Sequence, residues 1–324
     1  MVLVNMFLPL ATLFLSQLLP AMAQERPNTT TPCDYYAEKT VGANTADNQS
    51  ILMALVLHSA LIGPFSNYST VPVDDFTGAL TATTFRGQSV DLNVYFNGAT
   101  KSANTGKSTG EAIDFFTAGG LDATRNLKPS NGDTNSAQHI FFTHVYSYFG
   151  TFLGCSHIGS SKLPAYAGKA SMFEVHKFMD LNAAEMGFFV DQAVRGLLSI
   201  GFTDSDAQFV NNTLETVYNR RCAPPAGVIP PTAGPQLQAI CIAPDCSLAE
   251  NDICPAYDPA VPPLVANSTL IGNYTKAANG STSVNSSATS TASSDASRLV
   301  GKEMRVLEPV VAIVFVLLAA WGLA

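Results

Sequence analysis

Residues 171–206 read SMFEVHKFMDLNAAEMGFFVDQAVRGLLSIGFTDSD. Three helix starts are written into this stretch. Ser171-x-x-Glu174 is a capping box, Asn182-x-x-Glu185 is a looser one and Thr203-x-x-Asp206 a third of the same kind. In each, a side-chain oxygen can accept a hydrogen bond from a backbone N–H that the first helical turn leaves unpaired. The stretch therefore predicts helices over about 172–180, 183–200 and 204–220, to within roughly 2–4 residues.

The flanking sequence extends the helical pattern. Residues 47–62 (DNQSILMALVLHSALI) are apolar over a helical length and stop at Gly63-Pro64; residues 136–154 (SAQHIFFTHVYSYFGTFLG) are strongly aromatic and are expected to be buried on most faces. Between them, about 71–135 is irregular, rich in Gly, Asn and Ser, with short β segments expected in TGALTATTF and SVDLNVYF. The expected fold is mainly α: one helical domain over 24–222 carrying an irregular insert. Residues 223–264 hold Pro224-Pro225, Pro230-Pro231 and Pro262-Pro263 with three cysteines, and read as a disulfide-pinned extension without a second core. Residues 265–294 are dominated by Ser, Thr, Asn and Ala, too polar to bury a core, and read as a disordered glycosylated stalk.

The two ends supply the compartment. Residues 1–19 are apolar and uncharged, and Ala21-Met22-Ala23 gives a small-x-small cleavage pattern, so 1–23 is expected to be a signal peptide. Residues 309–324 (PVVAIVFVLLAAWGLA) form an apolar tail. Before it lie a polar spacer and the small-residue patch Ser293-Ser294-Asp295-Ala296-Ser297, the order of a GPI-anchor signal. The expected attachment residue is Ser294, with Ser293 and Asp295 as alternatives, and 295–324 would be removed. The expected place is the cell surface, on the plasma membrane through a GPI lipid or in the cell wall against its glycan.

Composition agrees. The formal charge is −8, and only 13% of residues are charged, against roughly 25% in ordinary soluble proteins. An acidic chain without a basic run lacks the cationic surface that nucleic acid needs. Glycans would restore the missing surface polarity: N-x-[S/T] sequons stand at Asn28, Asn48, Asn67, Asn211, Asn267, Asn273, Asn279 and Asn285. The six cysteines, Cys33, Cys155, Cys222, Cys241, Cys246 and Cys254, suit three disulfides in an oxidising compartment, with connectivity open. Cys241-x4-Cys246 reads as a staple, because residues 223–324 contain no histidine to complete a zinc site.

The candidate for chemistry is His176. Helical spacing from the Ser171 cap places Met172, Val175, His176 and Met179 on one face. An imidazole in that setting should stay neutral, and a neutral imidazole can give a lone pair to iron. The competing reading is a core histidine satisfied by a backbone carbonyl.

The segment 144–181 resembles the truncated, two-over-two globins. In that family a basic or His residue on the E helix precedes a Leu-Gly-Gly end, then a Pro-x-Tyr-x-Gly-[Arg/Lys] loop, a Met and the proximal His. Here the order is His144, Leu153-Gly154-Cys155, Pro164-Ala165-Tyr166-Ala167-Gly168-Lys169, Met172 and His176. The resemblance implies a globin-like fold with haem as cofactor. His176 would be the proximal ligand and His144 the distal-side residue. Phe141, Phe142, Tyr148 and Met172 would form pocket walls, with Lys169 near a propionate. It also implies a small diatomic or redox ligand. The chain departs from the family at Cys155, where a second Gly is expected, and by one extra residue between Gly168 and His176. Hydrolase and nucleotide motifs are missing: there is no Gly-x-Ser-x-Gly, His-Glu-x-x-His or P-loop. Two readings follow, an extracellular haem-binding protein and a cofactor-free structural or adhesive surface glycoprotein.

Overall fold

The computed structural model describes residues 25–68, 76–227 and 229–271. The expected signal peptide, Ser294, the 295–324 tail and the sequons at Asn273, Asn279 and Asn285 lie outside the described residues. What is described is mainly helical: α1 (Pro32–Val41), α2 (Ala46–Ile62), α3 (Gly120–Arg125), α4 (Ala137–Phe152), α5 (Met172–His176), α6 (Ala183–Ser199) and α7 (Asp204–Thr213). The sheet content is one hairpin, β1 (Thr83–Phe85) antiparallel to β2 (Gln88–Val90), with Thr83 opposite Val90. Among the described residues no helix is long and apolar enough to cross a membrane.

α2 is the axis. Its run from Leu52 to Leu61 is buried on every face, against α1, α4 and α6, as an all-round apolar helix must be. At the α2–α6 crossing a side chain on Gly196 would stand 2.7 Å from Ser59 Oγ and 3.0 Å from the Ala60 nitrogen. Only a glycine there lets the helices close. The C-terminal carbonyls of α2 are satisfied by the insert: the N–H groups of Ala79 and Leu80 donate to Ala60 and Leu61 at 2.8 and 3.0 Å. Gly78, at φ 84°, makes this approach possible.

All three predicted caps form, but the full reciprocal box is present only at Asn182. Ser171 accepts from Glu174 N, Thr203 accepts from Asp206 N, and Asn182–Glu185 form a reciprocal capping box. Two helices are shorter than their patterns. α5 ends at His176, because Asp180 turns left-handed at φ 49° and Leu181 pairs in parallel with Cys241. α7 widens after Thr213 into a π turn, Leu214–Tyr218. The expected β segments appear only as the hairpin; residues 92–95 form a 3-10 turn instead and bury Leu92, Val94 and Tyr95 in the core. The insert is therefore part of the fold's packing.

The disulfides are Cys33–Cys155, Cys222–Cys254 and Cys241–Cys246. The first ties α1 to the end of α4. Beside it Gln49 donates to Asp34 Oδ1 and Ser156 Oγ at 2.7 and 3.0 Å. The other two hold the extension down. The Ile240 N–H donates to Tyr218 O and the Ile242 N–H to Leu181 O, while Ala239 and Cys241 are fully buried. Residues 265–271, assigned by composition to the stalk, instead lie along the insert, where Val265 bridges Thr100.

Candidate functional site

The residues named for a haem site do not all share one place: His144 and Tyr148 both lie against the Tyr166 ring, whose hydroxyl donates to the Lys169 carbonyl, while Phe141 and Phe142 face other neighbours. His176 closes α5 and is half-buried. Its Nδ1 lies 2.8 Å from the Met172 carbonyl oxygen, one turn back. A carbonyl can only accept, so Nδ1 carries the proton and Nε2 the lone pair. Desolvation pulls the imidazole pKa below the ordinary 6.5, against the smaller opposing effect of the Met172 bond. No hydrogen bond to Nε2 occurs among the described residues. Met172 itself is buried, with its N–H donating to Gln238 Oε1 at 3.1 Å.

α4 separates the rest. Phe142 and His144 are two residues apart and so project about 200° apart on a helix. Phe142 is fully buried against the His58 ring, 4.7 Å between centroids, while His144 is exposed and 6.5 Å from the Tyr166 ring. Phe141, half-buried, joins Phe96 and Phe115 on the insert at 5.6 and 5.1 Å. Tyr148 is buried, with its hydroxyl 2.5 Å from that of Tyr218. Burial pushes the Tyr218 pKa up to about 12 and that of Tyr148 up as well. Lys169 is exposed and stands 4.0 Å from Glu174. One flat porphyrin cannot lie against both Phe142 and His144, so the expected haem set does not converge on a common space. The part that fits is the locked tautomer of His176.

The cavity at the α2–α4–α6 seam is small, about 20 Å³, room for about one water. Val56, Leu57, Phe149, Phe189 and Leu197 are among its walls. Among the described residues no group of three or more His, Cys, Asp or Glu side chains could hold a metal ion.

His58, inside α2, is the centre of a buried polar relay. His58 is fully buried; its Nδ1 donates to the Thr124 carbonyl at 2.7 Å, and the Tyr146 hydroxyl donates to its Nε2 at 2.5 Å. Burial lowers the imidazole pKa to about 4 and raises that of Tyr146. The relay locks α2, α3 and α4 together. Its sequence signal is a single His inside an apolar helix, and its partners stand 66 and 88 residues away, so no local pattern could reveal them.

A second network joins the N-terminal segment to α7. Arg26 Nη2 stands 2.7 Å from Asp206 Oδ1, and the Tyr36 hydroxyl donates to Asp206 Oδ2 at 2.8 Å. Burial alone would raise the Asp206 pKa; the hydrogen bonds from Arg26, Tyr36 and Thr203 outweigh it and hold the carboxyl below the ordinary 3.8.

No protein-family model, curated protein or solved structure matches this chain.

Proposed function

We propose that this chain is an extracellular surface glycoprotein, held at the membrane or wall through a GPI lipid, whose helical domain is a cofactor-free structural or adhesive scaffold. The observation that carries the reading is the use of cysteine. All six are paired and none is free among the described residues, the arrangement favoured by an oxidising compartment. The exposed sequons at Asn28, Asn67 and Asn267 support it, as does the dense core around α2. The full chain, expressed in a secreting eukaryotic host, should reach the cell surface with three disulfides by non-reducing peptide mapping. It should leave the surface on treatment with a phosphatidylinositol-specific phospholipase. A cytosolic protein with free thiols would sink the reading.

A second reading keeps haem at His176, as the truncated-globin resemblance implies, with a small diatomic or redox ligand. The Nδ1 bond to Met172 O favours it, since metal-bound histidines commonly fix their other nitrogen this way. Such a haem would take its distal side from elsewhere than the pair Phe142 and His144. The folded domain, purified from a haem-supplied host, would then show a Soret band that His176→Ala removes. A folded protein with no Soret band rules this reading out.

A further inference from the structure

The last described segment, 261–271, is a strap laid along the insert. Its backbone is fixed by Lys101 N donating to Leu264 O at 2.8 Å and by Ala266 N and Asn267 N both donating to Ala99 O, at 2.7 and 3.1 Å. Asn97 Nδ2 closes the far end on Leu270 O at 2.9 Å. The same strap exposes Val261, Leu264, Val265 and Leu270 to 55, 61, 40 and 42%. Large apolar side chains gathered on one short exposed segment call for a cover or a partner.

Asn267 stands in the middle of that row, within the sequon Asn267-Ser268-Thr269. Its Oδ1 accepts from the Thr269 N–H at 3.1 Å and from the Thr269 hydroxyl at 2.7 Å. Asn267 is exposed, and its Nδ2 makes no hydrogen bond among the described residues. The threonine hydroxyl thus polarises the amide while its nitrogen stays accessible. The contacts span two residues, so the turn can form before the domain folds. The helical sequons differ. Asn48 is half-buried and its Nδ2 donates to Ala43 O at 3.0 Å. Asn211 is half-buried inside α7, where the Thr213 hydroxyl donates to Phe209 O at 3.0 Å instead of to the asparagine.

We propose that Asn267 carries an N-linked glycan and that this glycan covers the strap's apolar row. The proposal rests on the extracellular reading. The donor class is an oligosaccharide joined to a lipid diphosphate. Asn267 Nδ2 bonds to the sugar's anomeric carbon, the C–O bond to the diphosphate breaks with its electron pair leaving on the lipid diphosphate, and a transferase base takes the Nδ2 proton.

The test uses the full chain from a secreting eukaryotic host. Glycopeptide mapping should find Asn267 occupied. Asn267→Gln and Thr269→Ala should each lose the mass of one glycan, while Ser268→Ala, which keeps the sequon, should not. Both glycan-free variants should bind more of an apolar dye and self-associate more by light scattering than Ser268→Ala, several-fold in dye fluorescence. A bare Asn267 beside an occupied Asn28 or Asn67 overturns this proposal alone. A protein with every sequon bare overturns the extracellular reading and this proposal with it. Glycan-free variants that match Ser268→Ala in dye binding and scattering refute the covering role.

Discussion

Replacing His58 with glutamine tests whether the buried relay sets the acid limit of the fold. In the native state Nε2 accepts from Tyr146, so protonating it would turn one donor against another in a site closed to solvent. The folded pKa of about 4 lies below the ordinary 6.5. Between those values the unfolded chain binds a proton that the native protein refuses, so stability rises with pH across the window. It is complete above about pH 6.5 and falls as the pH drops toward 4; about 2.5 units at 1.36 kcal/mol each is about 3 kcal/mol. At pH 7 His58→Gln should cost about 1–3 kcal/mol, because the shorter amide cannot hold both Thr124 and Tyr146. Between pH 6.5 and 4.5 it should lose markedly less further stability than the parent. Urea unfolding of both proteins across that range gives the two slopes, and groups common to both cancel in the difference. Parallel pH curves for parent and variant would refute the reasoning.

Three further outcomes follow from the packing. Gly196→Ala should destabilise by about 1–3 kcal/mol, by overpacking the α2–α6 crossing against Ser59 and the Ala60 backbone; a thermal melt unchanged within error would contradict that geometry. Opening the Cys33–Cys155 bridge by a paired Cys→Ser change frees a loop of sequence separation 122. It should cost on the order of 4–5 kcal/mol, read as a fall in the denaturant midpoint. Asp206→Asn should cost about 2 kcal/mol at pH 7, since Arg26 and Tyr36 then face a neutral amide. The lowered Asp206 pKa means its contribution is present above the ordinary 3.8 and is lost as pH falls through the folded value. The parent and Asp206→Asn stability curves should therefore converge in strong acid.

The parts of the fold readable from sequence were those with local causes. A capping box acts across three residues, so Ser171, Asn182 and Thr203 marked their helices correctly. The apolar run of 47–62 marked a helix, whereas the aromatic run of 136–154 overstated its burial, since Ile140 and His144 are exposed. The ends of α5 and α7 were not legible. Each is set by distant partners: Leu181 pairs with Cys241, and the Tyr218 carbonyl takes the N–H groups of Ile240 and Cys241. Composition made 265–271 look like stalk, yet the backbone N–H groups of Ala266 and Asn267 donate to Ala99 O, and the Leu270 carbonyl accepts from Asn97 Nδ2, which holds the segment against the domain whatever its own side chains. In the candidate site, the sequence could mark His176 as an imidazole on an apolar face. Whether Phe142, His144 and Tyr148 shared its space was a matter of which side of α4 met α2.

By itself, then, the sequence determined the helical class, the three caps, the even set of cysteines and the positions of the sequons, because each depends on residues close together in the chain. Tertiary structure alone decided the disulfide pairing and the burial of His58 between Thr124 and Tyr146. It also decided the exposure of His144 and the docking of the strap that presents Asn267. Those depend on contacts between segments tens to more than a hundred residues apart, where side-chain shape and backbone hydrogen bonding across the core outweigh any local preference.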